Sequence, residues 1–349
     1  MHPGGRIWRS GEIAIHAVIR LRRTRCPGSD IFLYIRMGRA YNDLIHPTDQ
    51  KQKGVIMNYI IFDLEWNQCG SECEIITEPV CLPGEIIEIG AVKLDDAFKK
   101  VDELRLYIKP QYYQKLHRRI VTLTGIRDKL LQEQGLSFPQ AYEKFMKFCG
   151  DEYSFMTWSR SDLPILIDNM LLHGIDVSNL PDTYDLQRIF CNEIMRFSRK
   201  MSLDDALKVL NEKGDTAHDA LNDSRNTVLV CNYLNLEEYG GEYVSRAFAE
   251  PPIHTVYDSP RAALADEKLR QYTCPWCGEA VTAEPWLHLG REESMARGQC
   301  SQGDEILLTM ELTRTAPDRY HPRRILYEMS DDLWEVYSQE QGNAPGENP

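Results

Sequence analysis

The run Tyr59-Ile60-Ile61-Phe62-Asp63-Leu64-Glu65-Trp66-Asn67 decides how this chain is read. Apolar and β-favouring residues lead into two acids, so the segment reads as a buried strand. Successive side chains of a strand alternate between its two faces. Asp63 and Glu65 therefore point the same way, while Phe62 and Leu64 point into a core. Two carboxylates on one sheet face repel each other unless a cation neutralises them, so the pattern asks for a divalent metal. An Asp-x-Glu pair alone is as ordinary as a solvated strand end. The remainder of the chain raises its standing.

A second β-rich run, Glu152 to Trp158, leads into Ser159-Arg160-Ser161-Asp162-Leu163-Pro164. Ser161 or Asp162 suits the N-cap of a helix through Ile165, Leu166, Asn169, Met170 and Leu172, with Pro164 in its first turn. Capping still leaves one carboxylate oxygen for a cation. A third run, His218-Asp219-Ala220-Leu221-Asn222-Asp223-Ser224-Arg225-Asn226-Thr227, opens onto apolar Val228-Leu229-Val230. His218 and Asp223 are not spaced to stack as an i, i+4 pair. With His218 just before or at the first helical turn, Asp223 faces the sheet from inside the helix and His218 hangs over the substrate side.

The motifs FDLEWN, WSRSDLPIL and HDALNDSRNT resemble the three exonuclease motifs of DnaQ-like 3′–5′ exonucleases of the DEDDh subgroup, especially the Eri-like and KapD-like members. The resemblance spans roughly residues 57–235 and takes in Glu85 to Val92, Leu123 to Ile126 and Ser202 to Leu207. It implies an α/β fold of the ribonuclease-H-like kind, a mixed sheet flanked by helices. It also implies that Asp63, Glu65, Asp162 and Asp223 hold two Mg2+ or Mn2+ ions, an all-oxygen set suited to hard cations. His218 would be the general base for an attacking water, a role for a side chain that titrates near neutrality.

By the same resemblance the 3′-terminal nucleotide would touch Leu64, Glu65, Trp66, Thr124 and His218. Trp66 reads equally as a base-stacking aromatic or as a rim aromatic packing on the sheet. Arg160 and Arg225 read as phosphate contacts or as charge partners. The implied function is metal-dependent 3′–5′ hydrolysis of single-stranded nucleic acid with a free 3′ end, RNA favoured over DNA. The alternative is a catalytically idle nucleic-acid-binding or regulatory protein that keeps the fold. Such a protein would be expected to lack at least one of the five residues, and all five are present. A phosphatase acting on small phosphoesters is a third reading, and the histidine motif speaks against it.

A length of 349 residues suggests about two domains, and 42% hydrophobic with 27% charged residues describes an ordinary globular chain. The net charge of −13 argues against a strongly electropositive nucleic-acid platform. It leaves room for a nuclease whose phosphate binding runs through metal ions in a local pocket. No apolar run is long enough for a transmembrane helix, so no membrane partner is expected. Ten cysteines are scattered without an evident secretory signal, which fits a cytoplasmic protein. Cys69, Cys73 and Cys81 read as free thiols in an active-site loop, and Cys149, Cys191 and Cys231 as buried packing residues.

Residues 1–56 are basic and lack sustained periodicity. An organellar transit peptide fits their composition, but the preferred reading makes Met57 the initiator, because the family-like pattern begins immediately after it. Residues 236–270, acidic and carrying Gly240-Gly241 and Pro251-Pro252, read as a linker. Cys274-Pro-Trp-Cys277-Gly278 reads as a zinc knuckle, completed by Cys300 and His288 in a zinc-ribbon-like module over residues 271–330. A ribbon that has lost its ion and a redox-active Cys-x-x-Cys stand as alternatives. The acidity of this module favours a protein partner, and residues 331–349 read as a polar tail.

Overall fold

A computed structural model describes residues 57–70, 74–196, 199–290 and 292–343; the basic extension 1–56 lies outside them. At the centre is β1 (Asn58–Asn67). It pairs antiparallel with β2 (Glu85–Leu94), which pairs antiparallel with β3 (Lys100–Tyr107). On its other side β1 pairs parallel with β4 (Tyr153–Thr157), followed in parallel by β5 (Asp182–Asp185). The helices are α1 (Arg118–Thr124), α2 (Asp128–Gln134), α3 (Phe138–Cys149), α4 (Asp162–Leu172), α5 (Leu203–Leu210), α6 (Ala220–Cys231) and α7 (Asp331–Asn343), with shorter turns between them. This is the mixed sheet with flanking helices that the sequence implies.

The alternation of β1 sorts its side chains as expected. Ile60, Phe62 and Leu64 join Phe138, Ala141 and Phe145 of α3 and Leu163, Leu166 and Met170 of α4 in one core. Ile61 points the other way, to Val92, Met156, Leu207 of α5 and Leu221 and Val230 of α6. Because both faces are covered, β2 is buried almost throughout and shows no alternation. Ser137 is the N-cap of α3: it donates its backbone N–H to the Gln140 side chain, one half of a capping box. After β5 the chain makes a single helical turn, Leu186–Ile189, running into a π-helical turn, Phe190–Ile194.

One glycine fixes where α6 sits. A Cβ at Gly90 of β2 would lie 2.1 Å from the Ala220 carbonyl carbon and the Leu221 nitrogen, and the Ser224 hydroxyl donates to the Gly90 carbonyl at 2.9 Å. The first turn of α6 thus rests directly on the strand. Gly90→Ala is expected to cost about 1–3 kcal/mol by overpacking and to displace the start of α6. Thermal unfolding together with a nuclease assay checks this: unchanged melting and activity would mean that the helix is not seated by this contact.

Beyond β5 the sheet continues. In β6 (Val244–Ala249), the first residues pair antiparallel with β5 and the last with β12 (Arg319–Glu328). β12 pairs with β11 (Glu305–Ala316), β11 with β10 (Glu293–Cys300), and β10 with β8 (Ala280–Ala283) and β9 (Leu287–His288); β8 closes on β7 (Tyr272–Thr273). The stretch 236–270 is therefore not a linker. Its Gly and Pro pairs lie outside a strand whose Val244, Ser245 and Ala247 are buried. Residues 331–343 are likewise not a tail but α7, with Leu333 and Tyr337 buried one turn apart. These two side chains join Met295, Leu307, Ile325 and Tyr327 in the same core as Phe62.

Charge pairs reinforce the junction. Asp332 of α7, fully buried, receives Arg188 at 2.8 Å and Arg160 at 3.3 Å. Arg323 of β12 bridges Asp168 of α4 and Glu311 of β11. Among the described residues no helix is long and apolar enough to cross a membrane.

Candidate active site

Asp63 and Glu65 leave β1 on the face that α6 covers, one strand period apart. Asp162 is the first residue of α4. Its N-cap, Ser161, makes no side-chain capping bond, and the Asp162 Oδ1 instead accepts the backbone N–H of Leu64 at 3.1 Å. That bond ties the second acidic motif to the strand of the first. His218 precedes α6 in the left-handed region at φ 62°, and Asp219 caps the helix by accepting the Asn222 N–H at 2.9 Å. The turn brings the backbone N–H of His218 to Asp223 Oδ2 at 2.8 Å. The imidazole itself is exposed, and ligating atoms of Glu65, His218 and Asp223 all lie within 4.8 Å of one another.

The electrostatics match this crowding. Burial, then repulsion from Asp162, Asp223, Glu65 and Glu88, holds the Asp63 carboxyl well above the usual carboxylate range. Burial and then Glu88, Asp223 and Asp162 push Glu65 up to about 8. Burial raises Asp162 to about 7, against the pull of the Leu64 N–H, and raises Asp223 as well. The largest charge effects on Asp63 and Glu65 thus come from other carboxylates, the condition that a divalent cation relieves. Four hard oxygen donors fit Mg2+ or Mn2+.

Residues 60–231 match the family model of the RNase T exonucleases. The domain belongs to the exonuclease family. Within it the order Asp63, Glu65, Asp162, His218, Asp223 fits the DEDDh pattern that the motifs resemble, on the ribonuclease-H-like sheet described above. Several solved structures are similar to this exonuclease. Cell-death related nuclease 4 has 22% identity and a TM-score of 0.45, over 55% of this chain and 67% of that one. The nuclease domain of 3′hExo bound to rAMP has 21% and 0.42, over 53% and 94%. A 3′-exonuclease recognising the histone mRNA stem-loop has 22% and 0.44, over 52% and 82%. No curated protein sequence matches the chain.

The surroundings of the exonuclease site differ in part from what its sequence suggests. The Trp66 ring packs over Gly84, where an added Cβ would come within 2.3 Å of the indole, so the rim-aromatic reading describes its position. Thr124 ends α1, which packs against β1; its hydroxyl donates to the Ile120 carbonyl and accepts the Ile126 N–H. Leu64 is buried and offers its backbone to Asp162. Arg225 grips Glu103 of β3, which it holds down at about 2, and Arg160 pairs with Asp185 and Asp332. Both arginines are charge partners here. Cys69 is disulfide-bonded rather than a free thiol, whereas Cys81, Cys149, Cys191 and Cys231 are free.

Sequence reasoning missed a second ring of charge. Glu88 of β2 lies directly across from Glu65, is held near 7 by burial and the nearby Asp219, and accepts the Ala220 N–H at 3.3 Å. Arg105 of β3 joins Glu88 to Asp219. The signal was present, because a glutamate inside the otherwise apolar run Ile86 to Val92 is seldom idle.

The raised carboxyls fix the sign of the pH response. Their folded values lie above the unfolded ones, so between about pH 4 and pH 8 the metal-free fold holds protons that the unfolded chain has released. Stability of the metal-free protein is therefore expected to fall as pH rises through that window. Cation binding must displace the same protons, so Mn2+ affinity is expected to rise on the order of 10-fold or more between about pH 6 and pH 8. Calorimetric titration at the two pH values measures this, and equal affinities would count against metal binding by these carboxyls.

Proposed function

We propose that this exonuclease removes nucleotides from the free 3′ end of single-stranded nucleic acid, RNA in preference to DNA, with Asp63, Glu65, Asp162 and Asp223 as ligands for two divalent ions and His218 as general base. The observation that carries the reading is the set of buried and half-buried carboxyls that repel one another beside an exposed imidazole. Bound divalent cations would supply Lewis-acid polarisation of the scissile phosphate. His218 takes the proton of the attacking water, the water oxygen bonds to phosphorus, and the bond from phosphorus to the 3′ oxygen breaks. The products are a nucleoside 5′-monophosphate and a strand shortened by one nucleotide. The left-handed backbone at His218 and the bond from its N–H to Asp223 hold the imidazole at the mouth of the site.

The RNA preference rests on the Eri-like character of the motifs, and a protein partner bound through the acidic C-terminal module is part of the same reading. The test uses end-labelled RNA and DNA of one sequence, with free or blocked 3′ ends, with and without Mg2+ or Mn2+. Stepwise, metal-dependent shortening of the free-ended RNA strand, faster than that of DNA, supports the proposal. Binding without cleavage in either metal would overturn it.

A further inference from the structure

The four thiol and carboxyl groups at the far end of the sheet form a site of their own. Cys274 and Cys277 lie in the turn that joins β7 to β8, closed by the Cys274 N–H on the Glu279 carbonyl at 2.8 Å and the Gly278 N–H on the Cys274 carbonyl at 3.0 Å. Cys300 and Asp304 lie in the turn from β10 to β11, closed by the Cys300 N–H on the Asp304 carbonyl and the Gly303 N–H on the Cys300 carbonyl. Gly278 at φ 74° and Gly303 at φ 95° take the left-handed region that lets both turns double back. Because β8 pairs with β10 at Val281 and Cys300, the two turns stand side by side. The Sγ atoms of Cys274 and Cys300 are 3.3 and 3.2 Å from Asp304 Oδ2, and all four ligating atoms lie within 4.8 Å of one another.

We propose that Cys274, Cys277, Cys300 and Asp304 bind one Zn2+ ion that ties these two turns together. Zinc–sulfur bonds of about 2.3 Å and zinc–oxygen bonds of about 2.0 Å at tetrahedral angles place sulfur and oxygen about 3.5 Å apart, close to the separations found. Three thiolates select zinc over the hard cations of the catalytic carboxylates. Four protein ligands make the site closed and structural, without an open position for chemistry. The need for a tie is local: β7 and β8 are very short and rest on a small apolar cluster around Tyr272, Val281 and Ile306.

His288, the fourth ligand expected from sequence, is excluded by its register. It pairs with Ser294 near the opposite end of β10, six residues from Cys300 and therefore roughly 20 Å away along the strand, and it shares a hydrogen bond with the Ser294 hydroxyl. The site takes no part in the exonuclease reading, and either can fail without the other.

Metal content of the full chain, purified reduced and without chelator, tests the assignment. About one zinc per chain is expected, together with the intense visible absorption of tetrahedral thiolate-bound Co2+ after exchange. Cys277→Ser and Cys300→Ser should lose the ion, and Asp304→Ala should bind it on the order of 10-fold or more weakly. His288→Ala and Asp63→Asn should keep it, which separates this ion from one held by the catalytic carboxylates. Should the cysteine variants fail to fold, the wild-type stoichiometry and the His288→Ala result still decide. A wild-type chain that takes up no zinc after reconstitution, or loss of zinc in His288→Ala, would overturn the proposal.

Discussion

Asp63→Asn is expected to slow 3′-end shortening on the order of 10³-fold or more, while raising the melting temperature of the metal-free protein. The first effect follows from removing one of the proposed metal ligands, since in the proposed mechanism catalysis is stabilisation of charge that develops at the phosphate. The second follows from the forces on Asp63: its carboxyl is buried and surrounded by Asp162, Asp223, Glu65 and Glu88, so its ionisation is a burden that the cations offset. An amide of nearly the same shape removes the repulsion and keeps the packing. Loss of rate paired with a gain of several degrees is the signature of a group kept for function at the expense of stability. A variant that is both inactive and destabilised would mean that Asp63 is a structural residue. The measurement is a labelled-strand assay alongside thermal unfolding in chelator.

Asp332→Ala is expected to destabilise the whole molecule by about 3–5 kcal/mol, a fall in melting temperature on the order of 10 °C. The substituted residue lies in α7, far along the chain from every catalytic position, yet its carboxylate is fully buried and receives both Arg188 and Arg160. Removing it strands the Arg188 guanidinium, whose side chain is 9% exposed, without its main partner. Arg160 retains Asp185 at 3.5 Å but loses one of its two anchors, and it stands two positions before Asp162. Activity below the melting range should therefore drop about 10-fold through displacement of the Asp162 carboxylate. The double variant Arg188→Met with Asp332→Leu should recover most of the stability, because the penalty belongs to the unpaired charge rather than to the volume. Melting unchanged in Asp332→Ala would show that α7 is not anchored by this carboxylate.

What the sequence reveals, and what it hides, follows the range of the forces involved. The placement of Asp63, Glu65, Phe62 and Leu64 needs only the period of a strand, and β1 obeys it. The positions of His218 before α6 and Asp223 within it need only helix-start chemistry, and Asp219 supplies the cap. Asp162 was harder: its expected capping role is replaced by the Leu64 N–H, a contact between distant parts of the chain. The pairings of Arg160 and Arg188 with Asp332 could not be read at all, because nothing local announces them. At the cysteine cluster, ligand-spacing rules look for cysteine or histidine and so point to His288, whereas Asp304 is the group beside the three thiols. Hairpin register, which local patterns fix weakly, decided between them.

The strand Val244–Ala249 has a practical consequence. It lies just past Cys231, where the recognisable catalytic region ends, so a truncation to that region looks natural. Cutting there would strip β5 of its neighbour and leave a row of open N–H and C=O groups along a bare margin. It would also uncover the apolar surface now shielded by Leu333 and Tyr337. Such a fragment is expected to self-associate and precipitate rather than report on catalysis, so an activity assay calls for the chain with its C-terminal third attached.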